Sequence, residues 1–147
     1  MTDRRRFLAA SALTLLAAWA ARPAAARQES AFQARNLEAA MKALQLPAPV
    51  TSGDILIDAP ELAENGANVP VEVTVNLPKV ERLLVLGDRN LFPLLADITV
   101  APRTRPWFEM KVKLAETSNI RVLALADGRL YQARRQVRVI LGGCLPG

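Results

Sequence analysis

One side chain in this sequence combines strong nucleophilicity with the lack of any built-in partner: Cys144, the only cysteine, within Gly142-Gly143-Cys144-Leu145-Pro146-Gly147. A lone thiol forms no internal disulfide and no Cys-x-x-Cys redox pair. The chain also contains no histidine. That removes Ser-His-Asp and Cys-His catalysis by this chain alone, haem c attachment through Cys-x-x-Cys-His, and zinc sites of the Cys/His kind. What remains is a thiolate able to carry sulfur as a persulfide or a disulfide-like adduct. Gly142 and Gly143 let the tail take almost any conformation and keep it slim enough for a narrow active site. Cys144 therefore reads as a handle for attached cargo more than as a catalyst. The plainer reading is an incidental cysteine on a frayed tail.

The opposite end of the chain places this thiol outside the cytoplasm. Arg4-Arg5-Arg6-Phe7-Leu8 fits a twin-arginine export pattern, with Arg4, Arg5, Phe7 and Leu8 as its defining residues. An apolar run from Leu8 to Ala21 follows, about 14 residues against the roughly 20 that span a bilayer. Ala24-Ala25-Ala26 then offers small residues for a signal peptidase. A cleaved Tat signal over residues 1–26 and a periplasmic destination are expected, with no permanent membrane anchor. Tat substrates cross folded, and with no cofactor motif in view a bound partner is the better reason for that route. The leader carries +3 of the chain's formal +5, so the mature part is only +2. Beyond Arg134-Arg135 it holds no basic run, which argues against nucleic-acid binding. About 121 residues remain, one small domain that buries roughly two thirds of its surface without disulfide staples.

The elements that must position the tail are legible as a change of period. Ser30 to Leu46 reads as one amphipathic helix, with Ser30 and Gln33 as a capping box and Phe32, Leu37, Ala40, Met41 and Leu44 as its apolar stripe. Pro47 and Pro49 stop it. The stripe docks either on the chain's own sheet or on another subunit. From Asp54 the pattern alternates instead. Strands are expected at Ile55-Leu56-Ile57, at Val69 to Val75 (with Pro70 marking an edge or a bulge), at Arg82 to Leu86, at Leu94 to Val100 and at Phe108 to Leu114. Ile120 to Ala126 is apolar on both faces and hence central. Asp127-Gly128 is a tight hairpin turn. The last strand runs from Arg129 to Leu141, with Tyr131, Ala133, Val137, Val139 and Leu141 on one face.

About seven short strands without intervening helices predict an all-β, immunoglobulin-like antiparallel sandwich preceded by one helix, with a small barrel as the alternative. The expected division is 27–53 for helix and linker, 54–141 for the sandwich and 142–147 for a flexible arm. Six extended residues reach at most about 20 Å. Other chemistry is thin. Met41 and Met110 are too few for copper carriage. Asp58, Glu61 and Glu64, the nearest carboxylate cluster, read as a solvated loop, and no cofactor or metal site is expected.

Four stretches together resemble the SoxY family, the sulfur-carrier subunits of the periplasmic thiosulfate-oxidising (Sox) system. They are Gly142-Gly143-Cys144; Ile57-Asp58-Ala59-Pro60-Glu61-Leu62-Ala63-Glu64-Asn65-Gly66-Ala67 with Val69-Pro70-Val71; Leu114-Ala115-Glu116-Thr117; and Asp127-Gly128 with Tyr131 and Ala133. The resemblance implies an immunoglobulin-like sandwich and a heterodimer with a SoxZ-like subunit. It makes Cys144 the point of covalent substrate attachment. A c-type cytochrome enzyme would join thiosulfate to it oxidatively, a dimanganese hydrolase would release sulfate, and a molybdenum enzyme would oxidise the remaining sulfane sulfur. The carrier itself would catalyse nothing.

The usual family ending is Gly-Gly-Cys-Gly-Gly, and here Leu145 and Pro146 replace the glycines after the cysteine. Proline restricts its own φ and pushes Leu145 toward extended conformations. Leucine adds bulk beside the thiol. Two alternatives to the carrier follow. One is a non-carrier periplasmic interaction module related to SoxY with a vestigial or repurposed arm. The other, weaker, is a redox enzyme that borrows a histidine or cysteine from a partner. An intermolecular disulfide at Cys144 would be a resting state.

Overall fold

The alternating runs pack as two sheets. The computed structural model describes residues 24–140. Among these, helices α1 (Ala24–Phe32) and α2 (Leu37–Leu44) precede nine strands: β1 (Val50–Thr51), β2 (Ile55–Asp58), β3 (Leu62–Ala63), β4 (Val69–Val75), β5 (Val80–Gly87), β6 (Leu94–Thr99), β7 (Trp107–Val112), β8 (Ser118–Ala126) and β9 (Arg129–Val139). The larger sheet has the order β1-β9-β8-β5-β6, with β3 also paired to β9; the smaller is β2-β4-β7. This is the expected two-sheet sandwich, and the barrel alternative is set aside.

Side-chain alternation explains why β5 and β8 are apolar on both faces. Leu83 and Val85 of β5, with Ile120, Val122, Ala124 and Ala126 of β8, face the interior and meet Val69, Val71, Val73 and Val75 of β4. The opposite faces, Leu84, Leu86, Leu123 and Leu130, form a second core with Ala31, Ala40 and Leu44 of the helices. The apolar stripe of the helical segment, apart from the exposed Phe32, thus docks on the chain's own large sheet. The central position expected for Ile120–Ala126 holds, since β8 lies between β9 and β5.

Two expectations need correction. The single helix from Ser30 to Leu46 is two helices, and Ser30 lies inside α1 instead of capping it. The true cap is Asn36, with extended backbone and a side chain that accepts from the Ala39 N–H at 2.8 Å. The break turns the chain, so that Phe32 of the expected stripe is exposed and Ala31 is the buried residue of α1. Gln45 closes α2 in a left-handed conformation, ahead of Pro47. Asn36→Ala is expected to cost about 1 kcal/mol, read as a lower urea midpoint with an unchanged slope. The second correction concerns β1 and β3. Each is two residues long and pairs with β9 in parallel, giving an otherwise antiparallel sandwich two parallel contacts.

Local chemistry accounts for the remaining joints. Asp127 and Gly128 both have positive φ (49° and 74°), the two-residue turn that matches strand twist between β8 and β9. Pro70 stands in the middle strand of the small sheet, but beyond the reach of β2, whose pairing ends at Asp58 and Glu72. On that side its missing N–H costs no ladder bond. No helix among the described residues is long and apolar enough to cross a membrane.

Candidate functional site

The only cysteine follows β9, so the candidate site starts where that strand is held. Val137 is fully buried, and Tyr131, Ala133 and Val139 pack on the same core, as the sequence pattern requires. On one side β9 pairs with β8 along its length, from Ala126↔Arg129 to Ser118↔Val137. On the other, β3 grips its end through Leu62↔Arg138 and Ala63↔Val139. Three consecutive N–H groups there are engaged. Arg138 donates to the Glu61 carbonyl at 2.9 Å and Ile140 to the Ala63 carbonyl at 3.0 Å. Between them, Val139 donates to Thr117 Oγ1 at 3.1 Å. The chain is anchored through Ile140, four residues before Cys144.

The segments around this clamp lock one another. Gly66 lies so close to the neighbouring backbone that a Cβ would sit 2.4 Å from the Leu114 carbonyl oxygen and 2.8 Å from Val139 Cγ1. The Gly66 carbonyl in turn accepts from the Leu114 N–H at 2.7 Å. Asn65 shapes the approach by accepting from the Ala67 N–H at 2.9 Å. Asn90 brackets the next stretch, donating to the Lys113 carbonyl at 2.7 Å and accepting from the Ala115 N–H at 3.1 Å. Ser118, the one buried polar residue among those described, accepts from the Arg89 N–H and donates to the Asn119 carbonyl. Thr117→Val removes the acceptor for Val139. It is expected to cost about 1 kcal/mol and to speed amide exchange at Val139 about fivefold, with the fold intact.

Ion pairs grade from load-sharing to superficial. Arg121 donates to both carboxylate oxygens of Asp88 at 2.9 Å and to Gln132 Oε1 at 2.6 Å, joining the β5–β6 turn, β8 and β9 in a mostly buried network. Arg138–Glu61 and Arg89–Glu116 are exposed and contribute little. Arg82, at the far end of β5, is held above the ordinary arginine range by its hydrogen bonds to the nearly buried Asp97. It remains a fixed cation and takes no part at the β9 exit.

Among the described residues the exit carries no catalytic constellation. Among the described residues, no three His, Cys, Asp or Glu side chains gather as metal ligands. Of the expected acidic cluster, Glu61 pairs with Arg138, while Asp58 aligns across the strands with Glu72 and Glu109. A cleft of about 960 Å³ is lined by Leu77, Pro78, Lys79, Arg103 and Pro106, in the β4–β5 and β6–β7 connections. It opens at the end of the sandwich away from the β9 exit.

Cys144, Gly142 and Gly143 lie outside the described residues, as do Leu141, Leu145, Pro146 and the export residues Arg4, Arg5, Phe7 and Leu8. What the structure adds is the base on which the tail is mounted. Gly66, Asn90 and Thr117 were not singled out for any role in the sequence. Their function depends on contacts between segments 22 to 73 residues apart, which no local pattern announces. The stretches that carry the family resemblance do meet here: Ile57–Ala67 supplies β3 and the Gly66 contact, Leu114–Thr117 supplies the lock, and the Asp127-Gly128 turn sets the register of β9.

Comparison with known proteins agrees with this convergence. The family model "Sulfur oxidation protein SoxY" matches residues 40–144, a span that ends on Cys144. The solved structure of the sulfur carrier protein SoxY from Chlorobium limicola f thiosulfatophilum is 38% identical, with a TM-score of 0.62 over 69% of this chain and 92% of that one. A superoxide reductase (neelaredoxin) from Ignicoccus hospitalis, 19% identical with a TM-score of 0.50 over 58% of this chain and 79% of its own, shares the fold alone. No curated protein sequence matches. On the family match and the Chlorobium structure together, this chain belongs to the SoxY family of sulfur-oxidation proteins.

Proposed function

We propose that the chain is a covalent sulfur carrier in sulfur oxidation, holding its intermediates on Cys144. One observation carries the reading. β9 is secured by backbone hydrogen bonds through Ile140, four residues before the only cysteine of a chain whose family match runs to that cysteine. A rigid base followed by Gly142-Gly143 suits a tail that presents one thiol to several partners. Four residues let the thiol range at most about 14 Å from Ile140.

The chemistry then belongs to partners. A c-type cytochrome enzyme removes two electrons as the Cys144 thiol and thiosulfate join through a new S–S bond, with release of the thiol proton. A dimanganese hydrolase adds water to the terminal sulfonate and splits the outer S–S bond, releasing sulfate and protons and leaving a persulfide on Cys144. A molybdenum enzyme oxidises that remaining sulfur. This chain supplies the thiol, its placement and its mobility. We place it in the periplasm after Tat export, paired with a SoxZ-like subunit.

Incubation with thiosulfate and the cognate cytochrome enzyme tests the carrier directly. Peptide mapping is expected to find the added sulfur on Cys144. The second reading, an interaction module with a repurposed arm, is favoured by Leu145-Pro146 where the family has glycines. It expects partner binding that survives removal of residues 142–147, with no adduct on the native protein.

A further inference from the structure

The edge of β9 is covered at both ends and open in the middle. β1 reaches only Tyr131 and Gln132, and β3 begins at Arg138. Between them the intervening chain, as β2, leaves to pair with β4 in the other sheet. Residues Ala133–Val137 therefore have a hydrogen-bonded strand partner on the β8 side alone, over about 17 Å at 3.3 Å per residue, while β2 passes nearby in the other sheet.

Alternation identifies the free groups. The Gln132 carbonyl accepts from the Ser52 N–H and the Arg138 N–H donates to the Glu61 carbonyl, so the backbone of even-numbered residues points to this edge. The Val139 N–H, odd-numbered, points the other way, to Thr117. The register with β8 runs without a bulge from Arg129 to Val137, so Arg134 and Gln136 direct both their N–H and their C=O outward. Arg134, Arg135 and Gln136 are all exposed. Among the described residues neither Arg134 nor Arg135 has a carboxylate in ion-pairing range, and Arg138 adds a third cation at the margin.

We propose that this open stretch of β9 is a docking edge for an extended, acidic segment of a partner protein, which adds as a short strand between β1 and β3. Two features select that occupant. Unpaired edge groups template a strand. The basic side chains make a second copy of this edge a repulsive match, while glutamate or aspartate on alternate positions of an incoming segment shares the outer face with Arg134, with Arg138 at its margin. The proposal stands apart from the thiol chemistry of Cys144, although the docked strand would lie on the element that leads into the tail.

Amide hydrogen exchange on the full chain tests it. In the free protein, Arg134 and Gln136 are expected to exchange as open amides, while Arg135 and Val137 are protected by β8. A short acetylated peptide with glutamate alternating with valine, at ten times its dissociation constant, is expected to slow exchange at Arg134 and Gln136 about tenfold. The same peptide with lysine in place of glutamate is expected to do nothing. Joint Arg134→Glu and Arg135→Glu substitution is expected to reverse that preference. Gln136→Pro removes an outward donor without touching the β8 ladder and should abolish the protection at Arg134. Protected Arg134 and Gln136 amides in the free protein would overturn the proposal, as would no protection at millimolar peptide, or equal protection by the lysine peptide.

Discussion

Gly66→Ala is expected to destabilise the sandwich by about 3 kcal/mol, the largest effect anticipated for a single methyl group in this chain. The new Cβ would lie 2.4 Å from the Leu114 carbonyl oxygen, a backbone atom that cannot rotate away. Relief requires parting the Gly66 and Leu114 segments and so breaking their 2.7 Å hydrogen bond. The same methyl presses on Val139, so the end of β9 loosens together with the loop. Urea denaturation measures the cost, and amide exchange at Val139 and Ile140 localises it. Expected is faster exchange at both residues, beyond the global loss. A change below about 0.5 kcal/mol would mean that the contact relaxes freely and the clamp is not tight.

Cys144→Ser is expected to have the opposite profile: no effect on stability and complete loss of carrier activity. The two described cores and the clamp are built from residues at or before Ile140. Serine keeps the size of the side chain but forms neither a persulfide nor a disulfide bond, so no sulfur adduct can be held. Reconstituted with its partner enzymes, the variant should reduce thiosulfate turnover to background, while its unfolding curve overlays that of the parent protein. Pathway activity retained in full would sink the carrier reading and leave the interaction module.

These two predictions mark the boundary of what the sequence disclosed. The alternation of Val69–Val75, the two-faced apolar run of Ile120–Ala126 and the Asp127-Gly128 turn reflect local rules, and each appears in the fold as expected. So does the inward face of β9, from Tyr131 to Val139. β1 and β3 escaped because two residues cannot display a period, and their parallel pairing with β9 joins segments about 80 residues apart. The helix break escaped because the pattern reads Phe32 into one continuous stripe, whereas it is exposed and Ala31 is buried; Asn36 just ahead of Leu37 signals the new start. The chemical handle was legible from counting alone, as one cysteine and no histidine. The clamp was not, because Gly66, Asn90 and Thr117 owe their roles to neighbours brought in by the fold.

Leu145-Pro146 follows the cysteine where the resemblance leads one to expect glycines, and there the question turns from fold to cargo. The most direct test is the intact mass of the protein purified from its native source, measured before and after reduction. The carrier reading predicts a fraction heavier than the bare mature chain by added sulfur or a sulfur oxyanion, mapped to Cys144, whose sulfane-sulfur adducts are removed by the reductant. A bare mature mass under both conditions, from cells actively oxidising thiosulfate, would contradict it.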